Sequence, residues 1–218
     1  MLRAAVREKM MEISGKYGGE VVFDHPLHGH SAIGIGGNAS AWYTPSSQEE
    51  LVALKDLLDD AGIKIITLGA GSNVLIPDEG LDAVVVNLSK KAFTGIRIDG
   101  SRVTAGAGTR LGALVDTCCR NGLAGMEGLI GIPGTVGGAL KGNASYKTEI
   151  SECLERVMVL GPRCGAEWRS GNELEFGYRT SSFEAGEIIL QADFRLYKGE
   201  EEELREKEKV YFLGKMAK

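Results

Sequence analysis

Gly131-Ile132-Pro133-Gly134-Thr135-Val136-Gly137-Gly138-Ala139 is the stretch of this sequence that most constrains its fold. Glycines packed this densely between apolar residues allow positive φ angles and let backbone N–H groups approach a ligand closely. Pro133 has a φ angle suited to the first position of a helix, so we predict a short helix over residues 132–143 whose N-terminus faces an anion. The stretch therefore predicts a phosphate site.

Two further glycine-rich loops follow predicted apolar strands. Residues 63–68 form one such strand and run into Gly69-Ala70-Gly71-Ser72-Asn73-Val74-Leu75, where Ser72 and Asn73 add side-chain donors. A hairpin predicted over residues 93–105, with its turn at Asp99-Gly100, runs into Gly106-Ala107-Gly108-Thr109. One such loop is often only a tight turn, but three together indicate an α+β protein that grips an extended ligand bearing a pyrophosphate.

The composition of the loops distinguishes between phosphate ligands. Residues 131–139 are apolar apart from their glycines, which suits a flat aromatic ring system, and no acidic Mg²⁺ ligands lie close to the loops. A flavin dinucleotide is therefore favoured over a nucleoside triphosphate. The sequence contains no G-x-x-x-x-G-K-[ST] motif, which excludes a P-loop NTPase.

Gly34-Ile35-Gly36-Gly37-Asn38-Ala39 formally fits the G-x-G-x-x-A dinucleotide fingerprint. A Rossmann turn opens directly into a helix, whereas Trp42-Tyr43-Thr44-Pro45 is typical of a strand ended by proline. We therefore do not predict a Rossmann fold.

The remaining elements are predicted from periodicity and capping signals. Helices are expected over residues 2–17, 48–61 and 110–121, the second with a capping-box signal at Ser46 and Ser47. Strands are expected over residues 21–23, 81–88 and 188–197, with a hairpin over 155–169 around Gly161-Pro162. Residues 199–218 are charge-dense, and we expect a helix there that leads to a part of the protein absent from this sequence.

Bulk properties limit the partners and the location. The chain has 218 residues and a formal net charge of −5, with no polybasic face, which argues against a nucleic-acid partner. We see no signal-peptide pattern and no stretch long enough to span a membrane, so we expect a cytoplasmic protein without a membrane partner.

The cysteines and histidines do not form a recognisable site. Cys118, Cys119, Cys153 and Cys164 show neither metal-ligand nor disulfide spacing, and we expect free buried thiols. His25, His28 and His30 cluster before a glycine-rich segment; a metal site, a covalent flavin link and ordinary packing remain open, of which packing is favoured. We expect no metal.

Tyr178-Arg179 is the one obvious reactive-looking polar pair. A guanidinium grips a carboxylate through two parallel hydrogen bonds, so Arg179 is a candidate to hold an acid substrate or stabilise an enolate. An arginine in a surface ion pair at a strand end is the alternative.

Four motifs occur in order: Leu68-Gly69-Ala70-Gly71-Ser72-Asn73-Val74-Leu75, Ala105-Gly106-Ala107-Gly108, residues 131–139, and Tyr178-Arg179-Thr180-Ser181. Together they resemble the UDP-N-acetylenolpyruvoylglucosamine reductase family, FAD enzymes that make UDP-N-acetylmuramate for bacterial peptidoglycan. The resemblance covers nearly the whole chain.

The resemblance implies an α+β, two-lobed FAD-binding module of the vanillyl-alcohol-oxidase type. Lobe 1 is expected over residues 1–92 and lobe 2 over 93–197, with a helical tail over 198–218 that leads to an absent substrate-binding domain. It also implies a set of FAD-contacting residues: Gly69, Ala70, Gly71, Ser72, Asn73, Val74, Leu75, Gly108, Gly131, Ile132, Pro133, Gly134, Thr135, Gly137, Gly138, Ala139 and Asn143.

The resemblance further implies the chemistry. NADPH reduces the flavin, which then passes hydride to the enolpyruvyl double bond of the nucleotide-sugar substrate. Arg179 is expected to stabilise the substrate carboxylate as an enolate-like intermediate forms, and Tyr178 and Ser181 are expected to orient it.

The sequence departs from the family at three points. Neither the Gly-Ser-x-Phe-x-Asn-Pro motif with the proton-donor serine nor the late glutamate occurs in these 218 residues, and Ser181 does not replace that serine. Lys141-Gly142-Asn143-Ala144-Ser145-Tyr146 replaces a more apolar approach to Asn-Ala-Gly-Ala. An incomplete reductase, a non-catalytic FAD-binding module and another oxidoreductase of the same fold are the three functions that remain.

Overall fold

The computed structural model describes residues 2–161 and 165–217 of the chain. The helices are α1 (Ala4–Tyr17), α2 (Gln48–Asp60), α3 (Leu111–Arg120), α4 (Val136–Lys141) and α5 (Glu201–Met216). The strands are β1 (Glu20–Pro26), β2 (Asn38–Thr44), β3 (Ile65–Thr67), β4 (Leu81–Val86), β5 (Ile96–Asp99), β6 (Arg102–Gly106), β7 (Leu123–Ala124), β8 (Leu154–Leu160), β9 (Ala166–Ser170), β10 (Phe176–Gly177), β11 (Thr180–Ser181), β12 (Ile188–Arg195) and β13 (Tyr197–Lys198).

Two compact units make up the chain. Unit 1 comprises Met1–Phe93, Leu160–Glu167 and Ala185–Ile188. Unit 2 comprises Thr94–Val159, Trp168–Glu184 and Ile189–Lys218. Pro162, in the predicted turn of the second hairpin, and Cys164 lie outside the described residues.

Unit 1 is built on a four-stranded sheet with the order β1-β2-β4-β3. β1 and β2 pair antiparallel, whereas β4 pairs parallel with both β2 and β3. The spacing of Leu51, Leu54, Leu57 and Leu58 predicts a buried stripe on helix α2, of which Leu51, Leu54 and Leu58 are fully buried and Leu57 is partly buried. The predicted helix α2 and the strands of this unit are confirmed, with small shifts in their ends.

The glycine cluster before β2 has a packing role. Residues 34–37 run directly into strand β2 and not into a helix, which confirms that the dinucleotide fingerprint is a chance match. A Cβ atom on Gly36 would lie 2.6 Å from the Cβ of Ile76, and one on Gly37 would lie 2.3 Å from the Asp78 carbonyl. These glycines are needed because the chain passes this close to its neighbour.

A fully buried carboxylate connects three parts of unit 1. Glu50 has no exposed surface, and it accepts hydrogen bonds from the Tyr43 hydroxyl at 2.7 Å and from the Ser46 N–H and Oγ at 2.7 and 2.8 Å. The Glu50 N–H donates to Ser47, which caps α2 as predicted. Burial, together with the hydrogen bond to Glu50, raises the pKa of Tyr43. Every polar atom of this cluster therefore has a partner, as burial requires.

Unit 2 contains a five-stranded sheet with the order β5-β6-β12-β8-β9. The predicted hairpin of β5 and β6 is confirmed. Two polar ladders cross strands β6, β12 and β8 and fix their register. In one, buried Asp193 accepts from Thr104 at 2.6 Å and from Arg156 at 2.7 Å. In the other, Glu155 accepts from Arg102 at 2.6 Å and from Arg195 at 2.8 Å.

Helices α3 and α5 complete unit 2. Helix α3 buries Leu111, Leu114, Val115, Cys118 and Cys119. Helix α5 packs against α3 and the turn Glu127–Leu129, and Leu204 is its buried residue. None of the helices in residues 2–161 and 165–217 combines the length and apolar character needed to cross a bilayer.

The Glu155 ladder predicts a pH dependence of stability. Hydrogen bonds from Arg102 and Arg195 lower the pKa of Glu155 from 4.5 to about 2. Since the folded pKa is the lower one, the stabilisation is fully present above the unfolded pKa and is lost as the pH falls from about 4.5 to about 2. Because these side chains are partly exposed, we expect Glu155→Gln to cost only about 1 kcal/mol at pH 7. Urea unfolding of both proteins measures this, and a difference of the same size at pH 2 would contradict it.

Candidate functional site

Two of the predicted glycine-rich loops form one structure in unit 2. The Val136 N–H donates to the Thr109 carbonyl and the Gly137 N–H to the Ala107 carbonyl, both at 2.9 Å. The Leu111 N–H donates back to the Gly134 carbonyl at 3.0 Å. A Cβ atom on Gly137 would lie 3.0 Å from the Cβ of Ala107, so glycine permits this approach. The loops at residues 106–111 and 131–139 are therefore joined through their backbones.

Helix α4 differs from its prediction. It begins at Val136 and ends at Lys141, whereas the sequence predicted residues 132–143 with Pro133 at the first helical position. Gly134 has a φ angle of +128°, which no right-handed helix allows. Thr135 is the N-cap, and its hydroxyl accepts from the Gly138 N–H at 3.4 Å. The placement of Pro133 in the first turn is thus wrong.

The N-terminus of α4 does not offer the unpaired N–H groups that the predicted anion site there would use. The first four N–H groups of the helix already have acceptors within the protein. Val136 and Gly137 donate to the facing loop, Gly138 donates to the Thr135 hydroxyl, and Ala139 donates to the Thr135 carbonyl. Four backbone N–H groups have no hydrogen-bond acceptor among the described residues: those of Gly108, Arg110, Gly134 and Thr135. Amides of the two loops, and not the helix end, are the donors that remain for an anionic ligand.

The Tyr178-Arg179 pair forms the turn of a small hairpin. Strands β10 and β11 pair antiparallel, with Phe176 opposite Ser181, and Tyr178 and Arg179 connect the two strands. Tyr178 is 89% exposed, and the Arg179 guanidinium carbon lies 5.6 Å from its ring centroid. Arg179 has a φ angle of +56°, which is uncommon for a residue with a side chain. Within the described residues Arg179 forms no ion pair, which disfavours the surface-ion-pair alternative.

Hydrogen bonds attach this hairpin to the end of α4. The Ser181 hydroxyl donates to the Lys141 carbonyl at 2.7 Å, and the Asn143 side-chain amide donates to the Gly177 carbonyl at 3.2 Å. The Lys141 ammonium donates to the Phe183 carbonyl. The structure therefore brings the predicted residues Arg179, Ser181 and Asn143 to the same helix end. Because the Ser181 hydroxyl donates to a backbone carbonyl here, the role of Ser181 in orienting the substrate stays a prediction.

Asn143 carries an unsatisfied buried oxygen. The residue is 3% exposed, and its Oδ1 atom has no hydrogen-bond partner among the described residues. Its Nδ2 atom donates to Glu149 at 2.7 Å. Most buried polar atoms are hydrogen-bonded, so this oxygen is suited to accept from a ligand.

The third predicted loop, residues 69–75, lies in unit 1. Gly71 has a φ angle of +63°, and a Cβ atom on it would lie 1.8 Å from the His30 carbonyl. The Ala32 N–H also donates to the Gly71 carbonyl at 3.0 Å. Val74 packs against the apolar core, whereas Leu75 is 77% exposed. The loop is therefore anchored to the unit at Gly71 and Val74 and exposes residues between and beside them.

The histidines before this loop pack against each other. The Nε2 atoms of His25 and His30 are 2.9 Å apart, and the His30 ring stacks on Trp42 with a centroid distance of 3.9 Å. Burial, followed by the charges of His25 and His28, lowers the pKa of His30. Ordinary packing, the favoured interpretation, therefore accounts for His25 and His30.

The described cysteines are not suited to catalysis. Cys118, Cys119 and Cys153 are free and buried, as predicted. Burial raises the pKa of Cys118 and Cys119 to about 12 and that of Cys153 to about 11. Since the thiolate is the reactive form, these thiols are inert at neutral pH.

Comparisons with known proteins agree on one family. Residues 39–162 match the family described as FAD binding domain. The crystal structure of UDP-N-acetylenolpyruvylglucosamine reductase from Thermus caldophilus superposes with a TM-score of 0.78 and 32% identity, over 92% of this chain and 70% of that one. This chain belongs to the UDP-N-acetylenolpyruvoylglucosamine reductase family. The reductase of Syntrophus aciditrophicus is 37% identical over 190 residues, which are 85% of this chain and 61% of that protein.

These comparisons confirm the family and the fold predicted from the motifs. Alkyldihydroxyacetonephosphate synthase, at 16% identity and a TM-score of 0.65, shares the fold alone. The α+β FAD-binding module is thus confirmed, and FAD is the cofactor that this type of domain binds. The chain spans 61% and 63% of the first two curated reductases that it matches.

The residues of unit 2 fit FAD. The unpaired backbone N–H groups of Gly134 and Thr135 can donate to a pyrophosphate. The buried Oδ1 atom of Asn143 can accept from an N–H or O–H group of the cofactor. Two features of this site were missed in the sequence. The first is the N-cap Thr135, which the sequence does signal because threonine is a favoured N-cap residue and stands directly before the true start of α4. The contacts of Lys141 and Glu149 connect separate parts of the sequence and leave no local signal.

Gly134 provides a test of the loop. We expect Gly134→Val to lower the affinity for FAD at least tenfold, because a β-branched side chain is strained at a φ angle of +128° and distorts the adjacent amides. Titration of the protein with FAD, followed by fluorescence, measures the affinity. Gly112→Val is the matched control, since a Cβ atom on Gly112 would meet no other atom within 4 Å. Unchanged FAD affinity in Gly134→Val would remove this loop from the site.

Arg179 provides a test of backbone strain. We expect Arg179→Gly to be more stable than Arg179→Ala by roughly 1 kcal/mol, because only glycine adopts a φ angle of +56° without a steric cost. Denaturant unfolding of the two variants measures the difference. The same pair of substitutions at the exposed neighbour Tyr178, which has no positive φ angle, should not favour glycine in this way. Equal stabilities at position 179 would show that the turn relaxes without cost.

Proposed function

We propose that this chain acts in the reduction of UDP-N-acetylenolpyruvoylglucosamine to UDP-N-acetylmuramate, the reaction of the reductases to which it is similar. The observation that carries the proposal is the attachment of the Arg179 hairpin to the end of α4, the helix that begins in the paired glycine-rich loops. This arrangement joins a candidate carboxylate-binding residue to a candidate phosphate-binding loop in one unit.

FAD, when bound, supplies the hydride chemistry of such a reaction. The chain's own part in unit 2 is to hold the cofactor through the amides of residues 108, 110, 134 and 135 and through Asn143. The predicted FAD contacts of residues 69–75 in unit 1 remain part of the proposal. Their glycines and exposed Asn73 and Leu75 support it.

Arg179 binds the substrate carboxylate in this proposal. Its guanidinium is charged at any relevant pH, and it lies in an exposed two-residue turn, without an ion-pair partner among the described residues. A bidentate contact would position the enolpyruvyl group and stabilise negative charge that develops on it. Tyr178, beside it in the turn, is the neighbouring candidate for orienting the substrate.

The electron donor and the cellular setting belong to the same proposal. We expect NADPH to reduce the bound flavin, a role in peptidoglycan synthesis, and a cytoplasmic location. The net charge of −5 supports the absence of a nucleic-acid partner.

The fold also occurs in a solvent-stable cholesterol oxidase at 16% identity with a TM-score of 0.56, so another oxidoreductase activity and passive FAD binding are the alternatives.

Absorption spectroscopy tests the proposed function. We expect the purified chain to bind FAD with a yellow colour, and NADPH to bleach that colour under anaerobic conditions. Addition of UDP-N-acetylenolpyruvoylglucosamine should perturb the spectrum of the oxidised protein, and Arg179→Ala should abolish this perturbation without changing the FAD content.

The outcomes separate the alternatives. Bleaching without any response to the substrate would fit both a reductase that needs its substrate-binding domain and another oxidoreductase of the same fold. FAD binding without bleaching would favour a passive FAD-binding module. A colourless protein that takes up no added FAD would contradict all three.

A further inference from the structure

The side-chain amide of Asn143 has only one possible orientation. Its two neighbours are the Glu149 carboxylate, 2.7 Å away, and the Gly177 carbonyl, 3.2 Å away. Both are hydrogen-bond acceptors, so the NH₂ group must face them and the Oδ1 atom must face away. Oδ1 is therefore a fixed acceptor that no donor among the described residues satisfies.

The backbone of Asn143 does not require this side chain. Asn143 follows helix α4 with a φ angle of +41°, a left-handed conformation that is common just after a helix and that glycine adopts equally well. The turn alone would thus be served by glycine, which would bury no unsatisfied oxygen. The Nδ2 group of Asn143 is explained by its hydrogen bonds to Glu149 and Gly177, so the buried Oδ1 atom is what needs a further explanation.

The position of Asn143 indicates the kind of donor. The residue lies at one end of α4, and the paired loops with their unpaired amides lie at the other. A helix of six residues is about 9 Å long. The Arg179 hairpin is hydrogen-bonded to the same end as Asn143. A cofactor whose phosphates bind the loops would reach Asn143 with a group several bonds away, such as the isoalloxazine ring of FAD.

We propose that the Asn143 Oδ1 atom accepts a hydrogen bond from an N–H group of the flavin ring, and that Glu149 is the positioning residue that forces this oxygen toward the ring. The inference rests on FAD binding in the proposed function and adds the atom, its partner and the residue that orients it. Glu149 belongs to no motif of the sequence.

The backbone around Glu149 is well fixed for this task. Glu149 pairs with Ser145 in an isolated β-bridge, and its N–H donates to the Glu152 carboxylate at 3.1 Å. The carboxylate of Glu149 therefore approaches Asn143 from a defined backbone position. A glutamine there would have both a donor and an acceptor, and either orientation of the Asn143 amide could then be satisfied.

Two substitutions test the inference in the full chain. Asn143→Gly keeps a residue that tolerates the φ angle of +41°, and it removes the side chain together with its hydrogen bonds to Glu149 and Gly177. We expect it to bind FAD about three- to tenfold more weakly, the usual effect of one lost hydrogen bond, and to shift the visible absorption bands of the bound flavin. ADP, which lacks the flavin ring, should bind with unchanged affinity. Glu149→Gln should show a smaller loss and a partial spectral shift.

Glu152→Gln is the matched control, because it alters the contact to the Glu149 N–H and leaves the Asn143–Glu149 pair in place. Unchanged FAD affinity and spectrum in Asn143→Gly would overturn the inference while FAD binding by the wild type still stood. An equal loss of FAD and ADP affinity would also overturn it, because Asn143 would then act through the fold of the loops. Failure of the wild-type chain to bind FAD would instead remove the proposed cofactor site itself.

Discussion

The backbone pairing between residues 106–111 and 134–137 is the constraint on which the candidate site depends. Three hydrogen bonds join the loop after β6 to the loop before α4, and Gly137 allows the close approach of the two backbones. This pairing fixes where α4 begins. The position of α4 in turn fixes Lys141 and Asn143, which hold the Arg179 hairpin. One short antiparallel contact thus determines the positions of several functional candidates in unit 2.

The same pairing changes how an anion can be bound. A glycine-rich loop before a helix usually suggests that the helix end binds the phosphate. Here the N–H groups of Val136 and Gly137 are occupied by the facing loop, and Thr135 caps the next one. The donors that remain lie one step earlier in the chain, at Gly134 and Thr135, and on the facing loop. The left-handed φ angle of Gly134 accompanies this rearrangement.

The sequence predicted the elements of the fold better than the details of the site. Periodic leucines, the Ser47 cap and the Asp99-Gly100 turn are local signals, and α2, α3 and the β5–β6 hairpin follow them. The start of α4 was predicted too early because Pro133 is a strong local signal that the pairing with residues 107–109 overrides. The contacts of Asn143 with Glu149 and Gly177 depend on how distant segments fold together, so no local pattern contains them.

Two buried polar side chains show how structure and function can be separated in this chain. Glu50 in unit 1 is fully buried, and its carboxylate is satisfied by Tyr43 and Ser46, so its burial is explained by the fold. Asn143 in unit 2 is nearly as buried, but one of its two polar atoms has no partner among the described residues. An unsatisfied buried oxygen lowers stability, and glycine would serve the same backbone turn without it. The fold therefore accounts for Glu50, whereas Asn143 is better explained by a ligand that completes its hydrogen bonds.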